Sequence, residues 1–303
     1  MAQDDKKAYS IREFTTIVPY VLPYIPRYIA GLVCLIIVDL GQILIPQFIK
    51  SAIDLLSSRF AVLTTLGILC LQILIVSAII STGRFLWRFF INGASRKIET
   101  AMRQKLFEHL MTLSYEFYQN NKIGDLIARA TNDLNAVRNA LGIGFVAFFD
   151  STIMALAILV IMIVQDSQTA LVSIIPLPVI TLLIVGFGNV IGQRFMKVQE
   201  AYSAMSETVQ ESFAGIRVIK SFVKEPWFIK IFSNNNNEYR QANVSLVKMY
   251  GLFFPLISFL SGLTTLILLV VGGRKVIDGQ MSPGTLVALL SYLQMLIWPM
   301  LGM

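Results

Sequence analysis

The stretch FYQNNKIGDLIARATNDLNAVRNA, residues 117–140, is polar and charged, yet it lies between two runs apolar enough to dissolve in lipid. Upstream is 62–90 and downstream is 141–164. Each exceeds the roughly 20 helical residues that cross a hydrocarbon layer of about 30 Å. Four further runs match them, at 28–49, 170–195, 249–271 and 285–303. The composition agrees: 55% of residues are hydrophobic and 14% charged, where soluble domains carry about a quarter charged. The expected fold is an all-α membrane protein with six transmembrane helices. Pro46, Pro176, Pro178, Pro255 and Pro299 fall in or near these runs, where proline kinks a spanning helix without ending it.

Charge orients the spans. Arg96, Lys97, Arg103, Lys105, Lys122, Arg129 and Arg138 lie between the second and third runs. Arg194, Lys197, Arg217, Lys220, Lys224, Lys230, Arg240 and Lys248 lie between the fourth and fifth. The alternate connections are poor in them: 51–61 has only Arg59, 165–169 has none, and the link from the fifth run to the sixth has Arg274 and Lys275. Lys and Arg mark the cytoplasmic side, so residues 1–27, with an interfacial elbow helix, and both long loops are expected there, in a multi-pass protein of the cell membrane. The net charge of +7 does not point to nucleic acid, because the basic residues form no patch interleaved with aromatics. The N-terminus lacks the apolar core and cleavage site of a signal peptide. Cys34 and Cys70 lie inside apolar runs and form no metal or disulfide pattern.

The long loops, 91–140 and 196–248, keep helical spacing. Ile98, Met102, Leu106, Leu110 and Leu113 recur every three to four residues, as do Met205, Val209, Phe213, Ile216 and Ile219, which marks amphipathic helices. The fourth helix is therefore expected to run from about 168 to 219, roughly 75 Å at the α-helical rise. Each loop reads as a helical hairpin standing outside the bilayer. At the first tip Asn120, Asn121 and Gly124 break the helix and Asp125 is placed to cap the next. At the second, Pro226 suits a first helical turn. Phe117, Tyr118, Phe222 and Trp227 are expected at the tips, as a contact surface or as closure of the hairpins. Gly272, Gly273, Gly279 and Pro283 are expected to close the outer turn.

Charges within the spans are costly and therefore candidates for function. Arg84 and Arg88 share one face of the second span; they either snorkel to the interface or line a cavity. Asp39, beside Gln42, and Asp150 either line that cavity or bond to a neighbouring helix. Met295 and Trp298 belong to a set of Met and aromatic residues suited to varied apolar cargo. GFGNVIGQ, residues 186–193, has no preceding strand, so Gly188 and Gly192 read as a helix-packing pair. No catalytic or metal-binding constellation is present.

These features resemble the transmembrane domains of ABC exporters. The first-hairpin pattern is met by Arg103, Leu106, Phe107, Phe117, Tyr118, Gly124, Asp125, Leu126, Arg129, Asn132 and Asp133. The second is met by Gly215, Ile216, Arg217, Val218, Ile219, Lys220, Ser221 and Phe222. ARATNDLNAVRNALGIG, IIPLPVI and SYLQMLIWPM look like multidrug-exporter half-transporters, which often pair as heterodimers. The resemblance implies a domain-swapped dimer, homomeric or heteromeric, embedded in membrane lipids and exporting small molecules, without nucleic acid. It implies coupling helix 1 at Glu116, Phe117, Tyr118, Gln119 and Asn120. It implies coupling helix 2 at Ser221, Phe222, Val223, Lys224 and Glu225. Asp39, Arg84, Arg88, Met295 and Trp298 become candidate cargo contacts. The sequence holds no Gly-x-x-x-x-Gly-Lys-[Ser/Thr] phosphate loop; ATP, Mg and ATPase activity are expected in a nucleotide-binding domain outside this chain, which reads as part of a longer protein. Lipid flippases and peptide exporters share the pattern. An ion-coupled carrier using Asp39 and Asp150, or a membrane scaffold, explains the long hairpins less well.

Overall fold

The computed structural model describes residues 16–58 and 63–302, with the side chains of Trp298 and residues 300–302 outside the description. The described chain is helical. After α1 (Val18–Val21) and a 3-10 turn (Leu22–Tyr24), α2 (Ile25–Ser57) is the first span. The second is α3 (Leu63–Trp87), which passes through a π turn (Arg88–Asn92) into α4 (Gly93–Met111). The first tip is α5 (Tyr115–Asn120). The chain returns through α6 (Ile123–Ala128), a π turn (Arg129–Asp133), α7 (Leu134–Asn139) and a π turn (Ala140–Gly144) to α8 (Phe145–Gln165), the third span. Next come α9 (Ser167–Ile174), α10 (Leu177–Ala214), α11 (Ile216–Ser221), α12 (Glu225–Ile277) and α13 (Pro283–Gly302). Five continuous helical stretches are long and apolar enough to cross a membrane, and the shorter apolar helix α13 follows them.

Two compact units result, residues 1–166 with 275–303, and residues 167–274. In the first, α2 packs along α3 and α13, and α13 also packs on α8. Small residues let α2 and α3 approach: a Cβ on Gly83 would stand 2.6 Å from Val38 Cγ2, and one on Gly41 2.8 Å from Ile80 Cγ1. Pro46 lacks the N–H that the Gln42 carbonyl would accept, which loosens this turn of α2. Beside it the buried Tyr292 hydroxyl donates to the Ile43 carbonyl at 2.8 Å. At the other end of α2, Tyr28 donates to the Leu141 carbonyl at 3.0 Å and packs edge-on against Phe145.

Where the chain enters α13, Asp54 of α2 holds the helix start. Its carboxylate accepts the Gly284 N–H at 2.8 Å and the Ser282 hydroxyl at 2.9 Å. Asp166 and Lys275 form an ion pair nearby in sequence to the span ends, at 2.7 Å. In the second unit α10 and α12 run antiparallel. The Arg194 guanidinium donates to the Ser245 carbonyl (2.8 Å), Asn235 donates to Thr208 (2.6 Å), and Tyr202 and Tyr239 lie 5.8 Å apart.

Several local expectations are corrected. The fourth helix does not run unbroken from 168 to 219: the chain turns at Ile175–Pro176 and again at Gly215. Gly272 and Gly273 do not break α12, which continues to Ile277; Gly279, at φ +71°, makes the turn instead. Gly186, Gly188 and Gly192 meet nothing within 4 Å, so the expected close packing is absent among the described residues. Asp125 does not cap α6, whose N-cap is Lys122; it sits inside the first turn and pairs with Arg129 at 3.1 Å.

Candidate functional site

The chemistry of this chain is concentrated in the hairpin tips and in a polar cluster among the spans. At the first tip Ser114 is extended and α5 follows for six residues, so Glu116, Phe117, Tyr118, Gln119 and Asn120 lie in this short helix. Tyr118 donates to the Leu110 carbonyl at 2.6 Å, and Asn121 to the Phe117 carbonyl at 2.9 Å. Phe117 and Tyr118 meet edge-on at 5.6 Å and are half-buried. Those two aromatics close the hairpin. The exposed aromatic of the tip is Tyr115, 78% exposed, which the spacing did not single out.

The legs beneath are joined by charge. Glu99, buried, pairs with Arg103 on its own helix and with Arg138 on the returning leg at 3.4 Å. Arg103 also donates to the Ala130 carbonyl in the π turn, at 3.3 Å. Sequence reading placed Arg103 in a motif but missed Glu99, because its partner Arg138 is 39 positions away.

The second tip differs from its expected form. The short helix is α11, ending at Ser221; Phe222, Val223 and Lys224 form the turn, and Glu225 begins α12. Pro226 does occupy the first turn. Lys224 N–H reaches the Ile219 carbonyl (3.0 Å) and Val223 N–H the Lys220 carbonyl (3.3 Å), the paired bonds of a Schellman cap. That cap places its hinge residue in the left-handed region, usually a glycine; here Val223 has φ 50°. Branching at Cβ makes this conformation costly. Phe222, Val223 and Trp227 are all exposed.

Within the spans the structure brings together Asp39, Arg84, Gln42 and Asp150. Asp39 is 1% exposed, and its carboxyl lies against the Asp150 carboxyl, with the Arg84 guanidinium as the neighbouring positive charge. Arg84 donates to Gln42 at 3.0 Å and remains exposed. Arg88 does not join this cluster: its guanidinium stacks 5.3 Å from the Trp87 ring in a groove with Arg27, Arg96 and Lys97. Met295 is half-buried on α13. Trp298 belongs to the same helix, with its side chain outside the described residues. No group of three or more metal-ligating side chains occurs among the described residues.

Long apolar helices that continue into charged hairpins with short helical tips define a multi-pass membrane protein. Comparison names the class: the chain matches the ABC transporter transmembrane region over residues 28–300 and belongs to that family. It is 33% identical over 298 residues to a multidrug resistance-like ATP-binding protein, MdlA, of Buchnera aphidicola subsp. Schizaphis graminum, covering 97% of this chain and 51% of the relative. It is 32% identical over 277 residues to a probable multidrug resistance ABC transporter ATP-binding/permease protein, YheI, of Bacillus subtilis, covering 90% and 47%. It is also 24% identical over 279 residues to an ATP-dependent lipid A-core flippase of Syntrophus aciditrophicus, covering 91% and 46%. The chain spans about half the length of these relatives.

Proposed function

We propose that this chain is the membrane-spanning part of an ATP-driven exporter that moves lipophilic or amphipathic compounds out of the cytoplasm by alternating access. The observation that carries the reading is the pair of hairpins: α12 alone has 53 residues, about 80 Å at 1.5 Å per residue, far more than a bilayer needs. The turn that leads into α12, its first turn and the tip of the first hairpin expose Phe222, Val223, Trp227 and Tyr115. Such tips suit grooves on ATP-binding domains, where ATP and Mg bind and are turned over. The relatives' names, ATP-binding and permease in one protein, support that partner. The bias of Lys and Arg supports a cytoplasmic N-terminus and cytoplasmic tips.

The second partner is another transmembrane domain, of the same chain or a sister chain. The independent packing of residues 167–274 supports a dimer in which that hairpin is exchanged. Asp39, Arg84, Met295 and Trp298 are proposed cargo contacts; Arg84, exposed beside the buried Asp39, is the accessible charge of the set.

The test uses the full-length transporter with its partner in everted vesicles. Replacing Phe222 by Asp and reversing Lys224 and Glu225 is expected to abolish cargo uptake while ATP hydrolysis persists. Uptake at the wild-type level would overturn the role of the tip. Uptake that needs a proton gradient and no ATP would overturn the exporter reading itself.

A further inference from the structure

At the level where α3 gives way to the first hairpin, a groove of about 380 Å³ opens between α2 and the π turn, and four basic side chains, Arg27, Arg88, Arg96 and Lys97, line it. None of the four has an ion-pair partner among the described residues. The one carboxylate between residues 88 and 107 is Glu99, and Arg103 and Arg138 already occupy it. The groove therefore presents concentrated positive charge that no carboxylate among the described residues pairs with, which favours an anion.

The remaining wall says which kind of anion. Phe89 and Phe90 line the same groove. Phe89 is 66% exposed and stacks on Phe85 one turn deeper into the span, with ring centres 6.4 Å apart. An apolar track thus leads from the basic mouth toward the lipid. The depth is marked independently: Arg27 lies over the Tyr24 ring (5.6 Å) and Arg88 over the Trp87 ring (5.3 Å), and aromatic rings paired with arginines sit at headgroup level in membrane proteins. A soluble phosphate has no use for the apolar track, and a neutral lipid has none for the charge.

We propose that this groove binds the phosphate headgroup of an anionic phospholipid from the leaflet facing the hairpins, with an acyl chain lying along Phe89 and Phe85. Basic pockets between spans at this level suit such headgroups. The site stands beside the passage from span to hairpin, so its lipid steadies the root of the first hairpin. It is separate from the Asp39–Arg84 cluster and does not depend on what the transporter carries.

The test measures binding of phosphatidylglycerol and phosphatidylcholine to the full-length transporter with its partner, by native mass spectrometry from detergent. The wild type is expected to prefer phosphatidylglycerol, with a preference that falls as salt rises. R88Q/R96Q/K97Q is expected to lose about tenfold or more of that preference, while R88K/R96K, which keeps the charge, retains it. A salt-insensitive preference, or a triple variant that binds as the wild type does, would overturn the proposal. So would an equal loss in R217Q/K220Q, on the second hairpin, which would make the effect one of net charge. Displacement of the lipid by equimolar glycerol phosphate would reduce the groove to a phosphate site and remove the lipid from it. Because the salt dependence is read on the wild type, failure of the triple variant to assemble still leaves a deciding measurement.

Discussion

Asp54 offers the most direct test of how the first unit is held. One oxygen accepts the Gly284 N–H at 2.8 Å and the other the Ser282 hydroxyl at 2.9 Å. Ser282 also accepts the Thr285 N–H at 3.1 Å, so the start of α13 keeps a local cap when Asp54 is removed, and the loss is purely that of the bridge from α2. Hydrogen bonds to a charged group contribute roughly 1.5–3 kcal/mol each. The residues are only partly buried, so D54A is expected to destabilise by about 2–4 kcal/mol for the pair. D54N keeps an acceptor without the charge and should lose about half as much. The assay is reversible unfolding of the full-length protein in mixed micelles, with S282A combined in a double-mutant cycle to isolate one of the two bonds. If D54A falls within about 0.5 kcal/mol of the wild type, as a neutral surface change would, the bridge contributes nothing and the reasoning fails.

Gly83→Ala is expected to cost about 1–3 kcal/mol by overpacking against Val38; the same change in a V38A background should cost clearly less, measured by the same unfolding assay. Val223→Gly removes a left-handed β-branched residue worth roughly 1–2 kcal/mol of strain, and should slow hydrogen exchange at the Val223 and Lys224 amides that close the turn; faster exchange would contradict it. The π turns at Arg88–Asn92 and Ala140–Gly144 should exchange faster than the helices flanking them, since each departs from the regular i to i−4 ladder; uniform protection through these segments would show no local weakness.

Much of this architecture is legible in the chain. Apolar runs and three-to-four spacing along 98–113 foretell long apolar helices and the amphipathic α4, because each is a property of a short local window. Contacts that depend on how one helix is rotated against another are not. Asp54 finds Gly284 across 230 positions and Tyr292 finds Ile43 across 249, and no window contains both partners. Glycine shows the contrast most clearly. The recognisable Gly188–Gly192 pair packs on nothing within the described chain, while Gly41 and Gly83, which match no short motif, allow α2 and α3 to approach. The turn at 222–224 falls inside the stretch read as the second tip, but its form was not legible, because a Schellman cap closed by valine carries no glycine to announce it.

The first unit is fastened unevenly, and the unevenness has a mechanical meaning. At the end of the first unit away from the first hairpin, Asp54 ties α2 to α13 and the Asp166–Lys275 pair ties the end of α8 to the approach of α13. Both ties are charged and cross between segments far apart in sequence, so they resist sliding. On the hairpin side, each leg of the first hairpin instead enters its span through a π turn, and the two π turns pack against each other. A helix bends most readily where its hydrogen-bond ladder is already irregular. Force applied at α5 would therefore travel up α4 and α6–α7, stiffened by the Glu99–Arg138 bridge, and meet its first compliant point at the root of the hairpin. Four cationic side chains with no ion-pair partner among the described residues, one of them within the α3 π turn, line a groove at that same level, so the anion proposed there would act where the first hairpin meets its spans.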